Sequence, residues 1–155
     1  MAQELSTLGV TLRYAVETTA GTRPTTGYTK IPGVKSIPDF NPEPDGIDVT
    51  PLEETMYRRY VPGLRDIGGA MAFTANMCDP FKTAWDAAVT AYAALTGGKD
   101  MWWEICVPGF KSFFFAGEPN ALGMNSMDVN SPLEVDAYVT PHKVEGWGNS
   151  TTISA

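Results

Sequence analysis

Apolar side chains recur at every second position along most of this chain, the period of strands with one buried face. Val10 to Glu17 sets Val10, Leu12, Tyr14 and Val16 against Thr11, Arg13, Ala15 and Glu17. Ala70 to Asn76 places Met71, Phe73 and Ala75 on one side. Leu133 to Thr140 alternates Leu133, Val135, Ala137 and Val139 with Glu134, Asp136, Tyr138 and Thr140. Tyr28 to Ile31 and Val34 to Ile37 predict short strands split by a Pro32-Gly33 turn, and Glu54 to Val61 and Met124 to Asn130 predict two more. Met101 to Val107 and Lys111 to Ala116 predict a hairpin across Pro108-Gly109. Within it, Phe113-Phe114-Phe115 puts rings on both faces, so one face meets the core and the other a helix or a neighbouring subunit.

One segment changes period. Phe81, Ala84, Trp85, Ala88, Tyr92 and Leu95 form a single stripe at helical spacing. Asp79 as N-cap, Pro80 at the first helical position and Gly97-Gly98 as a left-handed stop predict a helix at about 79–96. The fold class that follows is mainly β with one α-helix: two packed antiparallel sheets, as a β-sandwich or partly closed barrel, flanked by that helix. A single domain spans 1–155, with the first few residues and about 146–155 extended or flexible and the tail loose after Pro141.

Ile31 to Gly63 fits neither period. It carries Pro32, Pro38, Pro42, Pro44, Pro51 and Pro62, which exclude a helix or a central strand over most of its length. A long loop at about 39–55 results, acidic through Asp39, Glu43, Asp45, Asp48, Glu53 and Glu54. Long connections inside compact domains are functional or disordered. The regular elements on both sides favour an arm that a partner orders.

The net charge of −7 argues against a nucleic-acid binder, which needs clustered Lys and Arg. MAQELSTLGV lacks a basic region followed by an apolar core, so no signal peptide is expected, and no apolar run reaches membrane-span length. Cys78 and Cys106 make neither a disulfide framework nor a metal set, and are expected to be reduced and buried. His142, the single histidine, stands beside Pro141 and Lys143 and reads as a surface residue. Phosphate loops, zinc spacings and calcium loops are all missing from the sequence. No enzyme activity, cofactor or metal is therefore expected.

Several stretches together resemble a known family. LGVTLRYAVETTAGTRP, IPGVKSIPDFNPEPDGIDVTPLEE, the Tyr-rich strand with PGLRDIGG and the single helix led by Asp79-Pro80 are similar to the major tail tube proteins of tailed bacteriophages and prophages. The likeness is to tails that are long and non-contractile (siphophage-like), and it runs from about Leu8 to Gly146. It implies a structural virion protein that assembles in the host bacterial cytoplasm. Hexameric rings would stack into a tube on a tape-measure protein, with tail terminator and baseplate or tip proteins at the ends. DNA would pass through the lumen without specific binding, and no membrane is involved. The chain has no room for the extra immunoglobulin-like domain of some relatives, so a plain-walled tube is implied.

On this resemblance the arm makes contacts between rings or subunits. The residues concerned are Asp39, Phe40, Glu43, Asp45, Asp48, Glu53, Glu54, Tyr57, Arg58, Arg59 and Arg65. Glu134 and Asp136, which share a strand face, are the candidates for an acidic lumen that repels DNA. Two alternatives stay open: the tube of a contractile or type VI-like injection system, and a non-polymerising β-sandwich that binds a ligand or cell surface.

Overall fold

The computed structural model describes residues 8–41, 44–65, 69–150 and 152–153, with backbone alone at 65, 152 and 153. Among the described residues, ten strands and one helix follow in chain order. They are β1 (Thr11–Val16), β2 (Thr26–Ile31), β3 (Val34–Ser36), β4 (Pro44–Asp48), β5 (Tyr60–Arg65), β6 (Met71–Asn76), α1 (Asp79–Ala93), β7 (Met101–Cys106), β8 (Ser112–Pro119), β9 (Glu134–Gly148) and β10 (Thr152–Ile153). The chain forms two compact units, Met1–Pro38 with Ala70–Ala155, and Asp39–Gly69.

The larger unit is one eight-stranded sheet in the order β10-β2-β1-β7-β8-β9-β6-β3. Its curl follows from connectivity. Between β2 and β3 lie six strand spacings, about 29 Å if flat, yet only Pro32 and Gly33 join them in sequence. A link that short spans at most about 11 Å, so the ends of the sheet must come together. The larger sheet is thus a half-barrel, and β4 with β5 makes a second, small sheet. The mainly-β architecture with one helix is the one expected, in its partly closed form.

Both faces of the central strands are buried, as a curled sheet with a helix on its flank requires. On β7, Met101, Trp102, Trp103, Glu104 and Ile105 are all buried. Trp103 faces the helix, with ring centroids 5.4 Å from Trp85 and 5.8 Å from Tyr14. The Trp85 indole donates to the Asn120 carbonyl at 2.8 Å, which pins α1 to the end of β8. Trp102 faces the other way, into a cluster with Ala15, Tyr28, Phe114 and Ala116. The aromatic triplet therefore divides as expected, but Phe114 and Phe115 are both covered by this chain itself.

That second face also holds charge. Glu104 is fully buried beside Arg13, its register partner across β1 and β7, at 3.5 Å. Glu17 is 3% exposed, and its carboxylate accepts from the Trp102 indole at 2.9 Å and from the Asp100 and Gly21 amides at 2.8 and 3.1 Å. Burial pushes its pKa up, but these three donors and the Lys143 charge outweigh it and hold the carboxyl below its ordinary value. Arg23 lies 3.9 Å above the Phe114 ring and pairs with Glu145 at 2.7 Å. The Tyr28 hydroxyl donates to the Pro24 carbonyl, and burial raises its pKa to about 12.

Several local expectations are corrected. The helix N-cap is Cys78, with extended backbone and no side-chain capping bond, so Asp79 is already helical. The Cys78 carbonyl accepts the first helical bond, from Lys82. The C-cap is Ala94 in right-handed geometry, and left-handed Gly97 and Gly98 form the turn beyond it. Met124 to Asn130 is not a strand. The tail is not loose after Pro141, because β9 runs on to Gly148. Pro141 enters the sheet opposite Gly117, beside a register shift. A Cβ on Gly117 would lie 2.8 Å from the Thr140 carbonyl oxygen, so only glycine fits that approach. Cys78 is exposed and Cys106 half-buried, neither in the core.

Candidate assembly surface

The Asp39–Gly69 unit is a two-stranded antiparallel ribbon, β4 on β5, with Ile47 opposite Val61 and Asp48 opposite Tyr60. Sequence reading gives a loop to residue 55 and a strand over 54–61; the ribbon instead starts at Pro44, and its return strand begins at Tyr60. Prolines are compatible with it because a two-stranded ribbon has edges on both sides, where a missing N–H costs no ladder bond.

Its tip, Val49 to Arg59, is held by local polar bonds. The Asp48 carboxylate accepts from the Thr50 amide at 2.9 Å, and the Thr50 hydroxyl accepts from the Arg59 amide at 2.7 Å. Glu54 accepts from the Met56 amide at 3.2 Å and from the Arg59 guanidinium at 3.1 Å. Hydrogen bonds from Thr50 lower the Asp48 pKa, and chiefly the Met56 amide lowers that of Glu54. These short-range carboxylate bonds explain why residues 54–59 leave strand geometry despite their alternation.

No described residue of this unit is buried. Apolar side chains stand in solvent along its whole length: Ile47, Val49, Leu52, Met56, Tyr57, Tyr60, Val61 and Leu64, with Leu64 91% exposed. An exposed apolar area concentrated like this marks an interaction surface.

The candidate contact residues fall as follows. Asp39, Asp45, Asp48, Glu53, Tyr57, Arg58 and Arg59 are exposed, and Phe40 and Glu54 half-buried. Arg65 has its backbone at the end of β5, and Glu43 lies outside the described residues. Two of the candidates, Glu54 and Arg59, pair with each other. Sequence reasoning centred on charge and passed over Ile47, Leu52, Met56 and Leu64. Their signal was present as large apolar residues among prolines and carboxylates.

Glu134 and Asp136 share a face of β9, as expected, with Val135 and Ala137 buried behind them. Glu134 pairs with Lys35 at 2.7 Å, and Asp136 accepts from the Thr74 hydroxyl at 3.1 Å. Both carboxylates are thus engaged within the subunit.

Among the described residues no group of three His, Cys, Asp or Glu side chains is placed to hold a metal. His142 Nε2 lies 2.6 Å from Asp100 Oδ2 at the surface. No helix among the described residues is long and apolar enough to cross a membrane.

No family model and no curated protein matches the chain. Among solved structures it is similar to a chain in the cryo-EM structure of the anti-feeding prophage (AFP) baseplate, 6-fold symmetrised. The TM-score is 0.60 at 8% identity, covering 94% of this chain and 95% of that one. At that identity the likeness is one of fold.

Proposed function

We infer that this chain is a structural subunit of a phage- or prophage-type tail, built to assemble with copies of itself into stacked hexameric rings that wall a DNA conduit. The observation that carries the reading is the fold likeness over nearly the full length to a chain of a 6-fold-symmetrised prophage baseplate. The ribbon supports it, since a unit with no buried residue among those described and an apolar surface gains its cover from another molecule. Curled sheets joined side by side in a ring would also cover the open edges of β3 and β10. The net charge of −7 suits a conduit along which DNA slides without sticking. The tape-measure protein and the tail terminator belong to this reading as partners.

A second reading is favoured by the same likeness: a subunit confined to the baseplate end of an injection apparatus, not repeated along a tube. Electron microscopy of the purified chain over a range of concentrations separates the two. Open-ended tubes with a central channel support the first, and single rings that never stack support the second. A monodisperse globule at high concentration would remove both. The ribbon's part is tested by replacing residues 40–68 with a short Gly/Ser linker. β3 and β6 are antiparallel neighbours, so a short connection can join them. The expected product folds and does not assemble.

A further inference from the structure

Hydrogen-bond parity in the ribbon limits how a neighbour can hold it. The Val49 amide donates to the Arg59 carbonyl at 2.9 Å, which makes that facing pair a bonded one. Pairs alternate from there, so Asp48 with Tyr60 and Gly46 with Pro62 are non-bonded pairs whose main-chain groups point outward to the two edges. Pro62 therefore interrupts the β5 edge with no N–H to offer, and Pro44 opens β4 with none either. Both edges are blunted against a third strand.

The faces are not blunted. Ile47 and Val61 are register partners and share one face, where a Cβ on Gly63 would come 3.4 Å from Ile47 Cδ1. On the opposite face a Cβ on Gly46 would meet the Tyr60 ring at 3.4 Å, and Tyr60 is itself exposed. Both faces carry exposed large apolar side chains, where a ribbon lying on one surface needs only one. Charge is segregated between the two legs. Asp39 to Glu54 holds six carboxylates and no Lys or Arg, and Thr55 to Arg65 holds three Arg and no carboxylate. The acidic leg of one copy is complementary to the basic leg of the next.

Resting on the assembly role above, we propose that each ribbon is gripped through both faces at once by two further copies of this chain, in head-to-tail order, and not by strand addition at an edge. Head-to-tail contacts are the kind that close into rings or extend as filaments.

Two variants test the faces separately, the double variant Ile47→Ser with Val61→Ser and the single variant Tyr60→Ser, each read as the concentration needed for sedimentable assembly. Each is expected to raise that concentration by about tenfold or more. An increase from one variant alone overturns the two-faced grip and leaves the assembly role standing. If neither variant matters but the linker replacement abolishes assembly, the edges carry the contact and the grip is again overturned. Assembly that survives all three changes removes the ribbon from the contact and overturns the grip, whereas an unmodified chain that never assembles removes the assembly role itself. Oxidative footprinting of the unmodified chain covers the case in which serine unfolds the ribbon. Ile47 and Tyr60 should both be protected in assembled protein relative to dissociated protein, and protection of only one overturns the proposal.

Discussion

The half-barrel and the ribbon make opposite use of the same kinds of residue. In the half-barrel, Trp85, Trp102, Trp103, Phe114 and Phe115 are sealed on both sides of one sheet, and even Glu17 and Glu104 are buried with partners. The Asp39–Gly69 ribbon is about one fifth of the chain, yet it holds 8 of the 17 exposed large hydrophobic residues among those described. It buries none of them. Apolar burial contributes roughly 1.5–3 kcal/mol for each large side chain, so the half-barrel supplies its own stability, and on the proposed reading the ribbon leaves that gain to an encounter. The difference places folding in one unit and, on the proposed reading, association in the other.

The comparison is most easily broken at Trp85. Its side chain is fully buried, lies between Phe81 and Trp103, and donates to the Asn120 carbonyl. Trp85→Ala should cost about 3–5 kcal/mol of unfolding free energy, with the unpaired Asn120 carbonyl included in that loss. Chemical denaturation followed by near-UV circular dichroism measures it. A cost below about 1 kcal/mol would mean that α1 is not part of the cooperative core.

A smaller effect is expected at Glu17, which sharpens what holds the second face together. Glu17→Gln removes the negative charge that accepts from Trp102, Gly21 and Asp100. The expected loss at neutral pH is about 1.5–3 kcal/mol, the range for hydrogen bonds to charged groups. Because the folded-state pKa is lowered, this stability is present above the unfolded pKa, about 4.3, and disappears as pH falls through the folded value. Melting curves of the two proteins should therefore converge in acid. A gap that stays constant from neutral to strongly acidic pH would show that the charge contributes nothing.

The two units also differed in how far they could be read from sequence. Period-two alternation located β6 and the start of β9 because each has one buried face, and it located β1 although Leu12 and Ala15 are buried on opposite faces of that strand. The 3.6-residue stripe located α1 because Phe81, Trp85 and Ala88 are the residues it buries. What failed was decided by distant or irregular contacts. β9 passes through Pro141 only because Gly117 and a bulge admit it, and nothing local to Pro141 announces them. The Met124–Asn130 segment alternates but gains no pairing partner, since β8 has ended at Pro119. In the ribbon, proline and charge drew attention to the right segment and hid a strand, because prolines exclude central strands and not edge ones. The apolar residues that now define the surface were legible as residue types, but their exposure was not.

The smallest effect on folding is expected from the ribbon, and it draws the line between the units most sharply. Leu52 has no cover at all, at 106% of its reference exposure. Leu52→Ser should change the unfolding free energy by no more than about 0.5 kcal/mol, as for surface positions without structural partners. Denaturant titration of the unassembled chain provides the measurement. Should the midpoint fall by the equivalent of about 1 kcal/mol or more, the ribbon would be contributing to the fold of the free subunit. The division between a unit that folds and a unit that associates would then fail at its simplest point. An unchanged midpoint with weaker sedimentable assembly would place the whole cost of the lost leucine at the contact between copies, which is where a side chain left in water by its own fold has its energy to gain.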